Sequence, residues 1–108
     1  MVSEKTDTKS GEGLRDYELT VIIDPKLAED KLEARINAIG QSVTESGGTV
    51  AEVQRWGKRK LAYPIKHSLE GIYVLTKLKL KPAAGRALEA NLQISEDVLR
   101  HLLIKVGD

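Results

Sequence analysis

Apolar residues follow two different spacings along the first part of this 108-residue chain, and the change between them strongly constrains how it can fold. The first segment alternates apolar with polar residues, and its apolar positions are Tyr17, Leu19, Val21 and Ile23. After Asp24-Pro25 the spacing becomes helical, with apolar residues at Leu32, Ile36, Ile39 and Val43. Side chains alternate across a strand but recur every three or four residues on one helix face. These patterns therefore predict a strand and then a helix that ends at Gly47-Gly48.

The middle of the chain predicts two further strands. Residues 49–63 are rich in valine and polar residues, and Gly57 is expected to form a bulge where the inside-outside phase slips. Pro64 requires that this strand lies at a sheet edge or ends near Pro64, because proline has no backbone N–H to donate to a neighbouring strand. After a loop at residues 66–68, residues 71–81 alternate again and predict the third strand. Its buried face is expected to carry Val74, Thr76, Leu78 and Leu80.

The last part of the chain predicts a helix and a strand. Pro82 suits the first turn of a helix, whose buried positions are expected to be Ala84, Leu88 and Leu92. Residues 98–106 then predict a fourth strand. The order strand, helix, strand, strand, helix, strand is that of the ferredoxin-like split βαβ, an α+β fold. We therefore expect a four-stranded antiparallel sheet with two helices on one face, an open second face, and the second and fourth strands at the edges.

Composition limits the class of protein. The length fits one compact domain, and we predict a single domain at residues 14–106, a disordered polar extension at residues 1–13 and a C-terminal end at 107–108. The chain lacks cysteine, and no apolar run approaches the ~20 residues of a membrane helix. A soluble, cytoplasmic protein is the expectation.

A cationic segment interrupts an otherwise balanced charge pattern. The chain carries 17 basic and 16 acidic residues, yet no acid lies between Glu52 and Glu70. Residues 55–60 hold four cations and an indole. Cations meet phosphates and an aromatic ring can stack on a base, so this segment predicts a local nucleic-acid-binding surface. The alternative is a charged edge strand that only repels the edges of other sheets.

The predicted last strand is apolar on both faces. Its apolar residues include Leu99, Leu102, Leu103, Ile104 and Val106. Because an open sheet face normally carries polar residues, this strand predicts cover by a partner chain or by a second copy.

Catalytic and metal-binding patterns are missing from the sequence. His67 and His101 fall in different elements, with no carboxylate cluster at metal-ligand spacing. There is no phosphate loop and no nucleophile beside a candidate base. We therefore predict no enzyme, no metal and no cofactor.

Four segments carry a resemblance to a known family. They are Leu14-Arg15-Asp16-Tyr17-Glu18, Asp24-Pro25, the run from Trp56 to Ile65 (WGKRKLAYPI), and Glu70-Gly71-Ile72-Tyr73. On these motifs residues 14–106 resemble the bacterial ribosomal small-subunit protein S6 family. The resemblance implies a structural constituent of the small ribosomal subunit that binds the central domain of 16S ribosomal RNA together with ribosomal protein S18. It implies no catalysis.

The resemblance also suggests which residues bind. Arg15, Arg59, Lys60 and Lys105 stand where the family places basic residues. Our hypothesis for the rRNA-binding residues is Arg15, Lys58, Lys66 and Lys105. Our hypothesis for the edge shared by RNA and the partner protein is Arg55, Trp56, Arg59 and Lys60. The competing interpretation is a ferredoxin-like metabolic or regulatory domain that self-associates through its open face and binds no RNA.

Overall fold

The computed structural model describes residues 13–106. The predicted disordered extension therefore lies, apart from Gly13, outside the described residues, as does the C-terminal pair 107–108. The elements are strand β1 (Arg15–Ile23), helix α1 (Glu29–Glu45), strand β2 (Thr49–Ile65), strand β3 (Ser68–Leu80), helix α2 (Pro82–Ile94) and strand β4 (Val98–Lys105). No helix in this described part is long and apolar enough to cross a membrane.

The four strands form one antiparallel sheet in the order β2-β3-β1-β4. This order confirms the predicted ferredoxin-like fold and places β2 and β4 at the two edges. Strand β1 lies between β3 and β4, and its pairing with β3 runs from Arg15 opposite Leu80 to Ile23 opposite Ile72. Every strand of the sheet therefore takes its position, directly or through β3, from β1.

One face of the sheet, here called the helix side, packs against both helices. The predicted alternation is confirmed, because Leu19, Val21 and Ile23 of β1 are at most 1% exposed. They join one core with residues of β3, β4 and the helices, among them Ile36, Ile39, Val43, Val74, Leu78, Leu80, Leu88, Leu92 and Val98. Full burial of such a side chain contributes about 1.5–3 kcal/mol. The opposite face, here called the open side, carries no helix within residues 13–106.

The predicted stop of α1 at two glycines is confirmed in detail. The Gly48 amide donates to the Val43 carbonyl at 2.9 Å and the Gly47 amide to the Thr44 carbonyl at 3.0 Å, which is the Schellman pattern. Gly47 has φ +89°, a conformation that glycine adopts at little cost. A Cβ at Gly48 would lie 2.3 Å from the carbonyl oxygen of Lys79 in β3. Gly48 is therefore required because the backbones of two elements meet there.

The β2–β3 hairpin is longer than the rest of the sheet. Strand β2 has 17 residues and β1 only nine, so β2 and β3 continue past the end of β1 at Ile23. The predicted loop at residues 66–68 was too long, because Ser68 already belongs to β3. Lys66 and His67 close the hairpin with φ +48° and +67°, and a two-residue type I′ turn needs positive φ at both positions.

Replacing Gly48 with alanine should destabilise the protein by about 1–3 kcal/mol, because the added methyl group would collide with backbone. The matched control is Gly40→Ala inside α1, where the nearest atom to a new Cβ is Val50 Cγ2 at 3.9 Å. That substitution should stabilise the protein by about 0.5–1 kcal/mol, because alanine is the better helix former. Urea unfolding of both variants measures the difference, and equal stabilities would contradict the role of Gly48.

Candidate nucleic-acid interface

The bulge at Gly57 decides which way the cations of β2 point. The register of β2 against β3 shifts between Arg55 and Gly57, and Gly57 has φ +83°, as predicted for a bulge. Beyond it, Lys58 lies opposite Ile72 and Lys60 opposite Glu70, whereas Arg59 lies opposite Gly71. Cross-strand partners share a face, and Ile72 also faces Ile23 of the core. Lys58 and Lys60 are therefore on the helix side, and Arg59 is on the open side.

On the open side, Trp56 and Arg59 form a small exposed cluster. The Arg59 guanidinium carbon lies 5.4 Å from the centroid of the indole ring, which is cation–π distance. The indole Nε1 donates to the Gln54 side-chain oxygen at 3.1 Å. Trp56 remains 46% exposed, so it offers a large, oriented ring to a binding partner. Two of the four residues predicted at the edge shared by RNA and the partner protein, Trp56 and Arg59, are therefore in contact.

On the helix side, the projecting hairpin and the loop after β1 enclose a shallow depression of about 460 Å³, here called the hairpin groove. Its lining residues are Pro25, Lys26, Lys58, Lys60, His67, Ser68, Leu69 and Glu70. Lys26 is held at the rim because its amide donates to the Asp24 carboxylate at 2.9 Å. Three ammonium groups and an imidazole against one carboxylate make the groove attractive to a phosphate chain.

Sequence reasoning missed two members of the groove. Lys26 and His67 lie far from each other in the sequence, and only the fold brings both beside Lys58 and Lys60. The Asp24-Pro25 turn was the only signal for Lys26, since it ends β1 where the hairpin begins to project. No local pattern marks His67 as part of a basic surface.

Arg55 does not join the Trp56 cluster. It sits opposite Val74 on the helix side and forms an ion pair with Glu33 of α1. The hydrogen bond from Arg55 lowers the pKa of Glu33, against a smaller opposing effect of desolvation, and the same bond raises the pKa of Arg55. The guanidinium therefore connects β2 to the helix layer.

The four residues predicted to bind rRNA fall into two groups. Arg15 begins β1, and Lys105 lies opposite Tyr17 near the same end of the sheet. Lys58 and Lys66 lie on the hairpin near the other end of β1, which is about 30 Å away along a strand of nine residues: Lys58 is level with Ile23 and Lys66 lies beyond it. Lys66 is already engaged, because its Nζ donates to the Val98 carbonyl at 3.1 Å.

The predicted apolar surface on β4 is present on the open side. Leu102 lies opposite Thr20 and Ile104 opposite Glu18, whereas Leu103 lies opposite Leu19 and packs against the core. Leu102, Ile104 and Val106 are 47%, 49% and 44% exposed and are here called the apolar strip. Half-exposed leucine and isoleucine beside one another on an edge strand are typical of a protein-binding surface.

Together these features define a class: a small ferredoxin-like binding protein with a basic edge hairpin and an apolar opposite edge. The family described as ribosomal protein S6 matches residues 16–105. A relative named small ribosomal subunit protein bS6, from Dehalococcoides mccartyi, is 45% identical over 97 residues, which cover 90% of this chain and 89% of that protein. Another of that name, from Desulforamulus reducens, is 40% identical over 95 residues and covers 88% of this chain and 100% of the relative.

A solved structure agrees with the sequence matches. The crystal structure of 30S ribosomal protein S6 from Thermotoga maritima has a TM-score of 0.81 at 27% identity, covering 85% of this chain and 87% of that one. The chain belongs to the bacterial ribosomal protein S6 family. It is thus a protein of the small ribosomal subunit, a class that is cytoplasmic in bacteria, as the sequence analysis predicted.

Replacing Arg55 with methionine should raise the pKa of Glu33 back toward that of an ordinary glutamate, because the hydrogen bond is the main cause of its depression. A carboxyl group whose pKa is lower in the folded protein than in the unfolded protein stabilises the fold at pH values above its unfolded-state pKa. This stabilisation is lost as the pH falls through the folded-state pKa. Carboxyl NMR titration of Glu33 measures the change, with Arg100→Met as control, and an unaltered Glu33 titration in R55M would disprove the pairing.

Proposed function

We propose that this chain is a structural constituent of the small subunit that binds the central domain of 16S ribosomal RNA jointly with ribosomal protein S18. The observation that carries the proposal is the family match over residues 16–105, which includes the basic hairpin and all of the sheet except Arg15. The geometry supports a binding role, because cations and apolar residues occupy different parts of an exposed sheet. No catalytic step is part of the proposal.

RNA phosphates bind along the hairpin groove in this proposal. Lys58, Lys60 and Lys26 line one continuous depression and point toward solvent, so one ribose-phosphate chain can meet several of them. Each cation that meets a phosphate releases a counterion, and this makes affinity depend on salt. Arg15 and Lys105, at the far end of the sheet, contact a second RNA segment.

S18 binds on the open side in this proposal. The apolar strip of β4 and the Trp56–Arg59 cluster of β2 are exposed apolar and aromatic groups at the two edges of that side. Tryptophan and arginine are the residues most often found at energetic centres of protein interfaces. Arg59 and Lys60 face opposite sides of the strand, and in this proposal they contact different partners.

Joint binding follows from this arrangement. A protein held on the open side adds its own phosphate contacts without covering the hairpin groove on the other side. The second binding event becomes intramolecular, and its effective concentration raises the affinity of both proteins for RNA.

Replacing Lys58 or Lys60 with glutamine should weaken binding to a central-domain 16S rRNA fragment in the presence of S18. Each lost phosphate contact should also reduce the slope of log K against log salt by about 0.7–1. The matched control is Arg86→Gln, an equal loss of charge at an exposed position of α2. Filter binding across a salt series measures both quantities. A slope as steep in both lysine variants as in R86Q would remove the groove from the RNA interface.

Replacing Trp56 with alanine should weaken binding of S18 at least about tenfold, because a buried tryptophan anchor is a typical interface hot spot. The salt slope for RNA should stay unchanged. Val53→Ala is the matched control, since Val53 is 42% exposed on the same strand but lies opposite Thr76 on the helix side. Calorimetric titration with S18 measures the affinity. Equal losses in W56A and V53A would mean that the two faces of β2 are not divided between partners.

The competing function is self-association without RNA. The observation that favours it is the exposed apolar strip, which a second copy of the chain could cover in place of S18. Sedimentation measurements separate the two functions. A concentration-independent monomer that binds RNA with S18 supports the ribosomal proposal, whereas a stable dimer indifferent to RNA supports self-association.

A further inference from the structure

We propose that Tyr63, Lys66 and Arg100 form a clasp that holds the projecting hairpin in the conformation that presents the hairpin groove to RNA. This inference rests on the proposed RNA-binding function and assigns positioning residues to it. The far part of the hairpin, residues 61–70, is called the tip below.

The clasp consists of two hydrogen bonds between opposite edges of the sheet. Arg100 Nη1 donates to the Tyr63 hydroxyl at 2.8 Å, and Lys66 Nζ donates to the Val98 carbonyl at 3.1 Å. The bonded residues are 37 and 32 positions apart in the sequence. Strands β3 and β1 separate β2 from β4 in the sheet, so the tip reaches β4 only by passing the end of β1.

The tip has few other supports. Past Ile23, no strand within residues 13–106 lies beside β3 on its inner side, and the tip is a two-stranded ribbon. Its pairing is irregular, because residues 61–64 of β2 stand opposite the single residue Leu69. Such a ribbon is marginally stable by itself. Leu69 is 67% exposed and Tyr63 is 58% exposed, whereas Leu61 and Ile65 are half-buried, so burial of apolar surface holds the tip only in part. The two bonds to β4 therefore carry much of its orientation.

The turn residues are explained by the clasp and not by turn preference. Type I′ turns favour asparagine followed by glycine, because both central residues have positive φ. Here Lys66 and His67 occupy these positions, where most side chains are disfavoured. A lysine at the first of them is accounted for by its long side chain, whose ammonium group reaches the Val98 carbonyl.

A glycine at the base of the tip permits its approach. A Cβ at Gly71 would lie 2.3 Å from Ile22 Cγ2 and 3.6 Å from Leu61 Cδ2. Ile22 of β1 therefore packs directly against the Gly71 backbone, on the open side, with Leu61 beside it. This contact is where the tip rests on the sheet before it turns toward β4.

The consequence is a different role for Lys66 from the one predicted. Its ammonium group and the Arg100 guanidinium act as struts that orient the cations of the groove, and they do not act as phosphate ligands. A strut and a ligand differ in a measurable way. Loss of a strut lowers affinity at every salt concentration equally, whereas loss of a ligand also lowers the salt slope.

The first experiment measures amide hydrogen exchange of the free protein. Tyr63→Phe removes only the hydroxyl group, and exchange at tip amides should become about three to ten times faster, as expected for one lost hydrogen bond. Exchange in the centre of β1 should stay unchanged. Tyr17→Phe, the same chemical change at the other end of the sheet, is the control and should leave the tip unaffected. Unchanged exchange at the tip in Y63F overturns the clasp.

The second experiment measures binding of S18 and a central-domain rRNA fragment across a salt series. Y63F, Arg100→Met and the double variant should each bind three to ten times more weakly with the wild-type slope, and the double variant should be no weaker than R100M. A slope reduced in R100M identifies Arg100 as a phosphate ligand and overturns the strut role. If the wild-type protein binds no RNA, the proposed function fails, while the exchange experiment still decides whether the clasp exists.

Discussion

Strand β1 limits the rest of this structure, because it pairs with strands on both sides and is the shorter of the two inner strands. Its inward side chains Leu19, Val21 and Ile23 are almost inaccessible to solvent, and it pairs with β3 on one side and β4 on the other. Nine residues of pairing hold the sheet together. The part of the hairpin that continues past Ile23 must find support outside the sheet, and it does so by its contacts with β4.

Several polar residues of the hairpin form bonds to other parts of the same protein. Arg55 pairs with Glu33 of α1 near the base of the hairpin, and Tyr63 and Lys66 bond to the first residues of β4 near its end. An exposed ion pair or hydrogen bond contributes little to global stability. Its effect on orientation is larger, because a two-stranded ribbon has few other constraints. The basic segment therefore combines cations exposed to solvent with residues that fix its direction.

Much of the fold could be predicted from local pattern, whereas the division of the site could not. Element order, the edge position of β2, the bulge at Gly57 and the apolar strip all follow from periodicity and from the backbone demands of glycine and proline. The side that each cation faces depends on the register after the bulge, and one residue of slip exchanges the two faces. Arg59 and Lys60 were therefore grouped together in the sequence, and the structure separates them. Arg55 bonds to a residue 22 positions away and Lys66 to one 32 positions away, and no local sequence pattern indicates such distant partners.

The clasp also relates the two proposed partners to each other. The apolar strip and the β4 residues of the clasp lie on the same strand, since β4 supplies Leu102 and Ile104 to the open side and the Val98 carbonyl and Arg100 guanidinium to the hairpin tip. A protein that binds the strip and makes β4 more rigid would also restrict the tip, and through it the hairpin groove. RNA that orders the groove would restrict β4 by the same contacts, because coupling between two binding sites acts equally in both directions. If S18 and RNA bind as proposed, cooperative assembly needs no contact between S18 and the groove, because two hydrogen bonds across the end of the sheet connect β4 to the hairpin tip.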